Sequence, residues 1–589
     1  MDSNDIAFAR IDEVVAVLKE HIRILANVGD DTTALEEAVR VLHASRNEYT
    51  YIHRLPQELL AEIFYLARHI PPSDQYGVKK LPSNWVAMSQ VSQQWRDVAL
   101  GSSNLWAHIS SSYPRSIIQE CLKRSEPTSL TVDWYCSTPD DAQFFRSSLH
   151  RVKELTLVLN STTWNTLSSN LSSPAPKLEL LYIFLRSRDA QSPAPLIITD
   201  SIFSATTPCL QQVHLSGCSI HPEAPLFTGL TSLGLYDPPQ RLSAQNLFSM
   251  LRSLPHLSFL GLSEVLEPTT SPVSANITTV ALPTLRSLLI RGQPLNQYLE
   301  IISLLSFPRD STIDFRSMTG SPRVLPSLLD FLRVNHARWS TPLSTPLVET
   351  MDLDSSWGTL QLSLNPNSNA PGYVADLMKL ELRGEWGEDL GVANNTTIIS
   401  CFSYLPLSSL TSLTSNWPFD TKSWANPFGA LPNLKSISVK GQESLDIIEA
   451  IVGDLGAYLK TKKQKGTPVA SSSGSSAEPL VYDPIFPKLE ELHFAGPTFC
   501  PWLSDNFVTA LRVRKEKGKG LSLLEVKRCE FTSRRVMAEL SEVLEVKWDG
   551  FTGRDDDDDG DSDDPYEEYE PDDDPADFDS QEFMEEYFY

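Results

Sequence analysis

Apolar residues in the first fifty positions recur at helical spacing. Ile11, Val15, Leu18, Ile22 and Leu25 step by four and three, as do Leu35, Val39, Leu42, Arg46 and Tyr49, which predicts two amphipathic helices. The polar break NVGDDTT at 27–33 separates them and places Asp31 or Thr32 to cap the second. Each helix carries about two heptads, fewer than a self-standing coiled coil sustains. Residues 1–50 therefore read as a helical hairpin or a short coiled coil. The next stretch, LPQELLAEIF at 55–64, sets Pro56 in the first turn of a helix that should run to about Arg68. Its apolar residues Leu59, Leu60, Ile63, Phe64, Leu66 and Ala67 wrap well past one stripe. Either this helix lies deep in a core or part of its surface meets another protein. A second helical stretch is expected from about Asn84, with Trp85, Met88, Val91, Trp95 and Val98 at helical spacing. Gly101 should end it, and SSNLW at 102–106 returns the chain to the core.

Beyond residue 125 the pattern changes to P-x-L-x-x-Φ-x-Φ, where Φ is apolar. It is complete at 176–183, 208–215, 255–262, 283–290, 432–439 and 487–494, looser at 346–353, and present without the proline at 152–157, 230–235, 377–382 and 521–526. The lead residues Leu178, Leu210, Leu230, Leu257 and Leu285 lie 32, 20, 27 and 28 positions apart, close to the period of leucine-rich repeats. The last two apolar positions alternate as on a short strand with both side chains inward. One such repeat cannot bury its own apolar face, so stacked copies share a core. Residues 125–550 thus read as an irregular α/β solenoid of leucine-rich-repeat type, least regular between 290 and 430. Cys218 and Cys529 follow strands where such repeats carry Asn or Cys, a structural role. A Ser-, Gly- and Lys-rich flexible insertion is expected at 459–480.

The net charge of −26 is concentrated at one end. Residues 555–589 hold 19 acids and no Lys or Arg, which leaves −7 on the first 554. That segment should be disordered, because its charge density exceeds what its few apolar residues can offset. The body lacks the basic stripe that nucleic-acid binding needs. Its one basic cluster, RVRKEKGKG at 512–520, reads as a solvated loop. No run of apolar residues is long enough for a membrane helix, and the acidic N-terminus does not read as a secretory signal. The seven cysteines are odd in number and form no C-x-x-C pair, so neither a disulfide framework nor a zinc cluster is expected. Cytosol or nucleus is the expected compartment, and the sequons at Asn160, Asn276 and Asn395 are expected to be chance matches. His53, His69, His108 and His150 read as surface or junction residues, and Cys500, followed by Pro and Trp, as a packing residue. With no phosphate-binding loop, zinc motif or nucleophile elbow in the sequence, neither an enzyme nor a cofactor is expected.

The segment LPQELLAEIF…VSQQWRDVALGSSNLW resembles an F-box, in the version abundant in mushroom-forming fungi. Ile52, Arg54, Leu55, Pro56, Glu58, Leu59, Leu60, Glu62, Ile63 and Phe64 match its opening half, and Val91, Trp95, Arg96, Leu105 and Trp106 its close. Ser92 stands where the family commonly has Cys, and SDQYGVKK at 73–80 is a polar insertion. The resemblance implies a three-helix F-box at 51–110 that docks on the adaptor of an SCF ubiquitin ligase, and through it on the cullin scaffold. It implies contact by Leu55, Pro56, Leu59, Leu60, Ile63, Phe64, Val91, Trp95, Leu105 and Trp106. The repeats would then hold a protein substrate. A scaffold that binds partners without degrading them has the same architecture and stays open. So does a weaker reading, an acidic tail that binds basic proteins.

Overall fold

A computed structural model describes residues 3–48, 50–68, 88–135, 147–168, 170–185, 197–198, 202–268, 278–292, 295–308, 310–317, 325–340, 348–354, 359–365, 378–383, 392–417, 419–440, 446–454, 484–496, 501–529 and 534–551. The insertions at 73–80 and 459–480, the acidic tail, Asn84, Trp85, His69 and Cys500 lie outside these residues. The described chain forms two compact units. One is the chain up to Leu185 with residues 202–210; the other is residues 197–198 with 211–551.

The first unit opens with helices α1 (Ser3–Val28) and α2 (Thr33–Glu48), which pack on each other as a hairpin. Arg46 of α2 meets Asp12 of α1 at 2.9 Å, and its guanidinium lies 5.4 Å from the Phe8 ring centroid. At the start of α2 the Thr33 N–H donates to Asp31 Oδ1 at 3.0 Å, and the Thr32 carbonyl accepts from Leu35 and Glu36. Both expected capping residues therefore share the task, and the hydrogen bonds from Thr33 hold the Asp31 carboxyl below its ordinary range.

Helices α3 (Gln57–Arg68), α4 (Gln93–Gly101) and α5 (Ser103–Trp106) follow. The second helical stretch differs from the expected one. Residues 89–91 form a turn and α4 begins anew at Gln93, because the Ser92 hydroxyl accepts from the Trp95 N–H at 3.2 Å and caps a fresh helix. Val91 thus stands in the turn and not on the helix.

Strand β1 (His108–Ser110) starts two residues after Trp106, and helix α6 (Arg115–Arg124) sets the Arg124 guanidinium 5.1 Å from the Trp106 ring centroid. Strands β2 (Leu130–Tyr135), β3 (Val152–Leu159) and β4 (Leu180–Leu185) continue a parallel ladder in the order β1-β2-β3-β4. The first strands consequently belong to the same compact unit as the helices, and no linker separates them at residue 110.

The second unit is strand-rich. It starts at β5 (Gln212–Ser216) and runs through β6 (Ser232–Tyr236), β7 (Phe259–Ser263), β8 (Ser287–Arg291) and β9 (Thr312–Ser317), with β6 parallel to β5 and each later strand parallel to the one before it. Strands β10 (Thr350–Asp354), β11 (Thr359–Asn365) and β12 (Met378–Arg383) break the sequence. Here β12 pairs parallel with β9, β11 lies antiparallel between β12 and β10, and β10 pairs parallel with β13 (Ser412–Ser415). The parallel run then resumes through β14 (Ser436–Lys440), β15 (Glu491–Ala495), β16 (Leu523–Lys527) and β17 (Glu545–Trp548).

The repeated motif acts through local chemistry. In all six complete copies the strand begins four residues after the proline. In five of them the lead leucine N–H donates to the carbonyl just before the proline, closing a turn: Leu178 to Ala175, Leu210 to Thr207, Leu257 to Leu254, Leu285 to Leu282 and Leu489 to Phe486. Proline suits the second position of such a turn because its φ is already set. The lead leucines are buried, as are the paired positions behind them, such as Val213 and Leu215, Leu260 and Leu262, and Leu492 and Phe494. The reversed strand keeps this alternation: Leu364 sits between Met351 and Met378, and Leu362 between Leu353 and Leu380.

On the opposite side of β5–β7, His214, Gly234 and Gly261 stand in register. The His214 and Tyr236 rings stack 7° from parallel, and the Tyr236 hydroxyl lies 2.5 Å from where a Cβ on either glycine would sit. The bare glycine backbone leaves the room these rings occupy.

Two further expectations meet the structure here. Cys218 and Cys529 are buried, and burial raises both thiols, that of Cys529 to about 11. The basic cluster is not a loop throughout: Arg512–Glu516 end a helix, α7 (Pro501–Glu516). Arg514 is wholly buried there and donates to the Ile485 and Phe486 carbonyls at 2.8 Å each, while Arg512 pairs with Glu542 at 3.4 Å.

Candidate docking surface

Helix α3 carries two apolar stripes that face different ways. Leu60 and Phe64, one turn apart, are fully buried. Leu59, Ile63 and Leu66 share another face at i, i+4 and i+7 and are 53%, 40% and 59% exposed. The stripes are one residue, about 100° of helix, apart. That offset answers why the helix carries more apolar surface than one core face needs.

The inner stripe closes a small core. Helix α3 packs on α4 and α5, with the Phe64 ring centroid 5.1 Å from that of Trp95. Val98, Ala99, Leu105 and Trp106 are buried around it. The Trp106 indole N–H donates to the Ala99 carbonyl at 2.9 Å, so its polar edge is satisfied inside. Gln94 donates its side-chain amide to the His53 carbonyl at 3.3 Å and ties the start of α4 to the turn ahead of α3.

The ten residues expected at the adaptor divide by position. Pro56, Leu59, Ile63 and Val91 are exposed, Leu55 and Trp95 half-buried, and Leu60, Phe64, Leu105 and Trp106 interior. Those four interior residues are packed against the other helices of the domain. Leu66, absent from that set, belongs to the outer stripe. Its signal in the sequence was the i+3 step from Ile63. Ile52, 40% exposed, lies just ahead on the chain.

His108 meets Asp133 at 2.6 Å, and His493 lies between Glu525 at 3.0 Å and Glu491 at 3.5 Å, each across neighbouring parallel strands or along one. Among the described residues no group of His, Cys, Asp and Glu is arranged to hold a metal ion, and no helix is long and apolar enough to cross a membrane.

No curated protein matches the chain. One family model does match, over the segment that holds α3, α4, α5 and β1: the chain carries an F-box-like domain at residues 52–112.

Proposed function

We propose that this protein is the substrate-recognition subunit of an SCF-type ubiquitin ligase, of the kind abundant in mushroom-forming fungi. The observation that carries the reading is the outer stripe of α3: Leu59, Ile63 and Leu66 stay exposed on an F-box-like domain whose inner stripe already closes its core. An apolar face kept in water marks an interface. The adaptor docks over these residues with Pro56 and Val91, and Leu60, Phe64, Leu105 and Trp106 hold the helices in place beneath. The adaptor links the chain to the cullin scaffold.

The strand-rich region is the target-binding part. Its turn–lead-leucine–strand unit, repeated in parallel register, supports an irregular leucine-rich-repeat-like solenoid over residues 125–550. The strand face turned away from the buried leucines along β13–β16, where alternate positions stay partly exposed, is where a protein target would bind. The protein contributes position and not bond-making: it raises the effective concentration of the target near the ubiquitin-loaded enzyme, in cytosol or nucleus.

The test is co-purification of the full chain with the adaptor, comparing wild type with Leu59→Ser/Ile63→Ser/Leu66→Ser. All three positions are exposed, so the fold should survive, as circular dichroism would verify. Affinity should fall by about a hundredfold, since central apolar anchors dominate such interfaces. Undiminished binding by a folded variant would refute the docking surface, and no binding by wild type would refute the function.

A further inference from the structure

The parallel run of the second unit ends at β17, which among the described residues pairs with β16 and with no other strand. The Glu545 N–H donates to the Ser522 carbonyl at 3.1 Å, and the Asp549 N–H to the Val526 carbonyl at 3.4 Å. Glu545 and Lys547 therefore turn their backbone groups to β16, and Val546 and Trp548 turn theirs to the outer edge. An edge of this kind is a template for another strand.

The side chains say which strand fits. Edges that shun pairing carry charge, and charge of one sign repels a copy of the same edge. Here Glu545 and Lys547 are both exposed, opposite in sign and on the face that Glu525 and His493 share. Their own contact is a loose 3.8 Å, and an exposed pair of that kind contributes little. Set antiparallel on a second copy with Val546 opposite Val546, the strand brings Glu545 of each copy against Lys547 of the other. Val546 then exchanges both its outward backbone bonds with its counterpart, and a charge pair flanks it on each side in the closely spaced position. A slip of two residues keeps the backbone bonds but sets Glu545 against Glu545, or Lys547 against Lys547. The charges thus select one register.

Helix α8 (Arg534–Ser541), which packs on β17, repeats the pattern. Its exposed side holds Arg534 and Arg535 at the start, Ala538 midway and Glu542 just past the end. The reversal that pairs the strands lays this basic start against the acidic end of the other copy's helix. Both elements at this end of the array complement themselves under one two-fold axis, as an interface between identical subunits must. We propose that two copies of this chain pair edge to edge through β17, so that the sheet continues from one copy into the other. The pairing is independent of the adaptor reading.

A short edge makes a transient pair, so sedimentation equilibrium of the full chain at about 100 micromolar tests it. Wild type should form a dimer at twice its 65.7 kDa. Lys547→Glu and Glu545→Lys each leave one sign of charge on the edge and should each weaken pairing by about tenfold or more. The swap Glu545→Lys/Lys547→Glu should restore it, as should an equimolar mixture of the two single variants. Both positions are exposed, and circular dichroism would verify the fold. A monomeric wild type overturns the proposal, as does a dimer indifferent to both single variants. Failure of either the swap or the mixture to recover pairing overturns the antiparallel register. A monomeric full chain that pairs once residues 555–589 are removed gives the edge to the acidic tail and likewise overturns it.

Discussion

Phe64 and Leu59 show how nearby residues of one helix take opposite duties. Phe64 is fully buried against Trp95, and Phe64→Ala should cost about 3–5 kcal/mol through the cavity it leaves. Leu59→Ala, at an exposed site, should change stability by less than ~0.5 kcal/mol while weakening the proposed adaptor contact. Urea titration of the two variants beside a binding assay separates the duties. His214 is a second residue with a measurable signature. Burial pushes its imidazole down to about 4 from an ordinary 6.5. The unfolded chain then binds the proton that the folded chain refuses, so this stability is full above pH 6.5 and declines as pH falls toward 4. Wild type should lose about 2 kcal/mol more than His214→Gln between pH 7 and pH 5, read from denaturant midpoints at the two pH values. Equal pH slopes would mean that His214 accepts a proton in the fold.

At the scale of the element, caps and turns decide where segments start. Ser92, standing where the resembled family commonly has Cys, caps α4, and Ser92→Ala should cost about 1 kcal/mol. Thermal unfolding would register it, and an unchanged midpoint would mean that water replaces the hydroxyl. Between strands, Gly234 and Gly261 leave the room that His214 and Tyr236 fill. A Cβ on Gly261 would sit 2.5 Å from the Tyr236 hydroxyl, in a ring that is itself buried. Gly261→Ala should therefore cost about 1–3 kcal/mol, and a neutral result would show that the Tyr236 ring can turn out. The reversed strand β11 follows a related logic. It keeps two-residue alternation, so it can enter the sheet against the prevailing direction without turning a leucine to water.

For the whole molecule, charge and fold are largely separate. Removing residues 555–589 changes the net charge from −26 to −7, yet the docking stripe and the strand ladder lie outside that segment. Adaptor binding by the truncated chain should match the full chain in a titration at physiological salt. A tenfold loss would assign the acidic tail a part in assembly, since long-range charge acts mainly within a Debye length of about 8 Å. What the sequence determined by itself were the locally encoded features: the two N-terminal helices, the excess of apolar surface on α3, and strands at the P-x-L copies. Spacing and a proline's fixed φ specify these within a few residues. Only tertiary structure decided which of Leu59 and Leu60 faces water, that Arg514 serves two carbonyls inside, and that β10–β12 enter the sheet out of order. Each depends on what packs against a residue from a distant part of the chain, and helical or strand periodicity names a face without naming its neighbour.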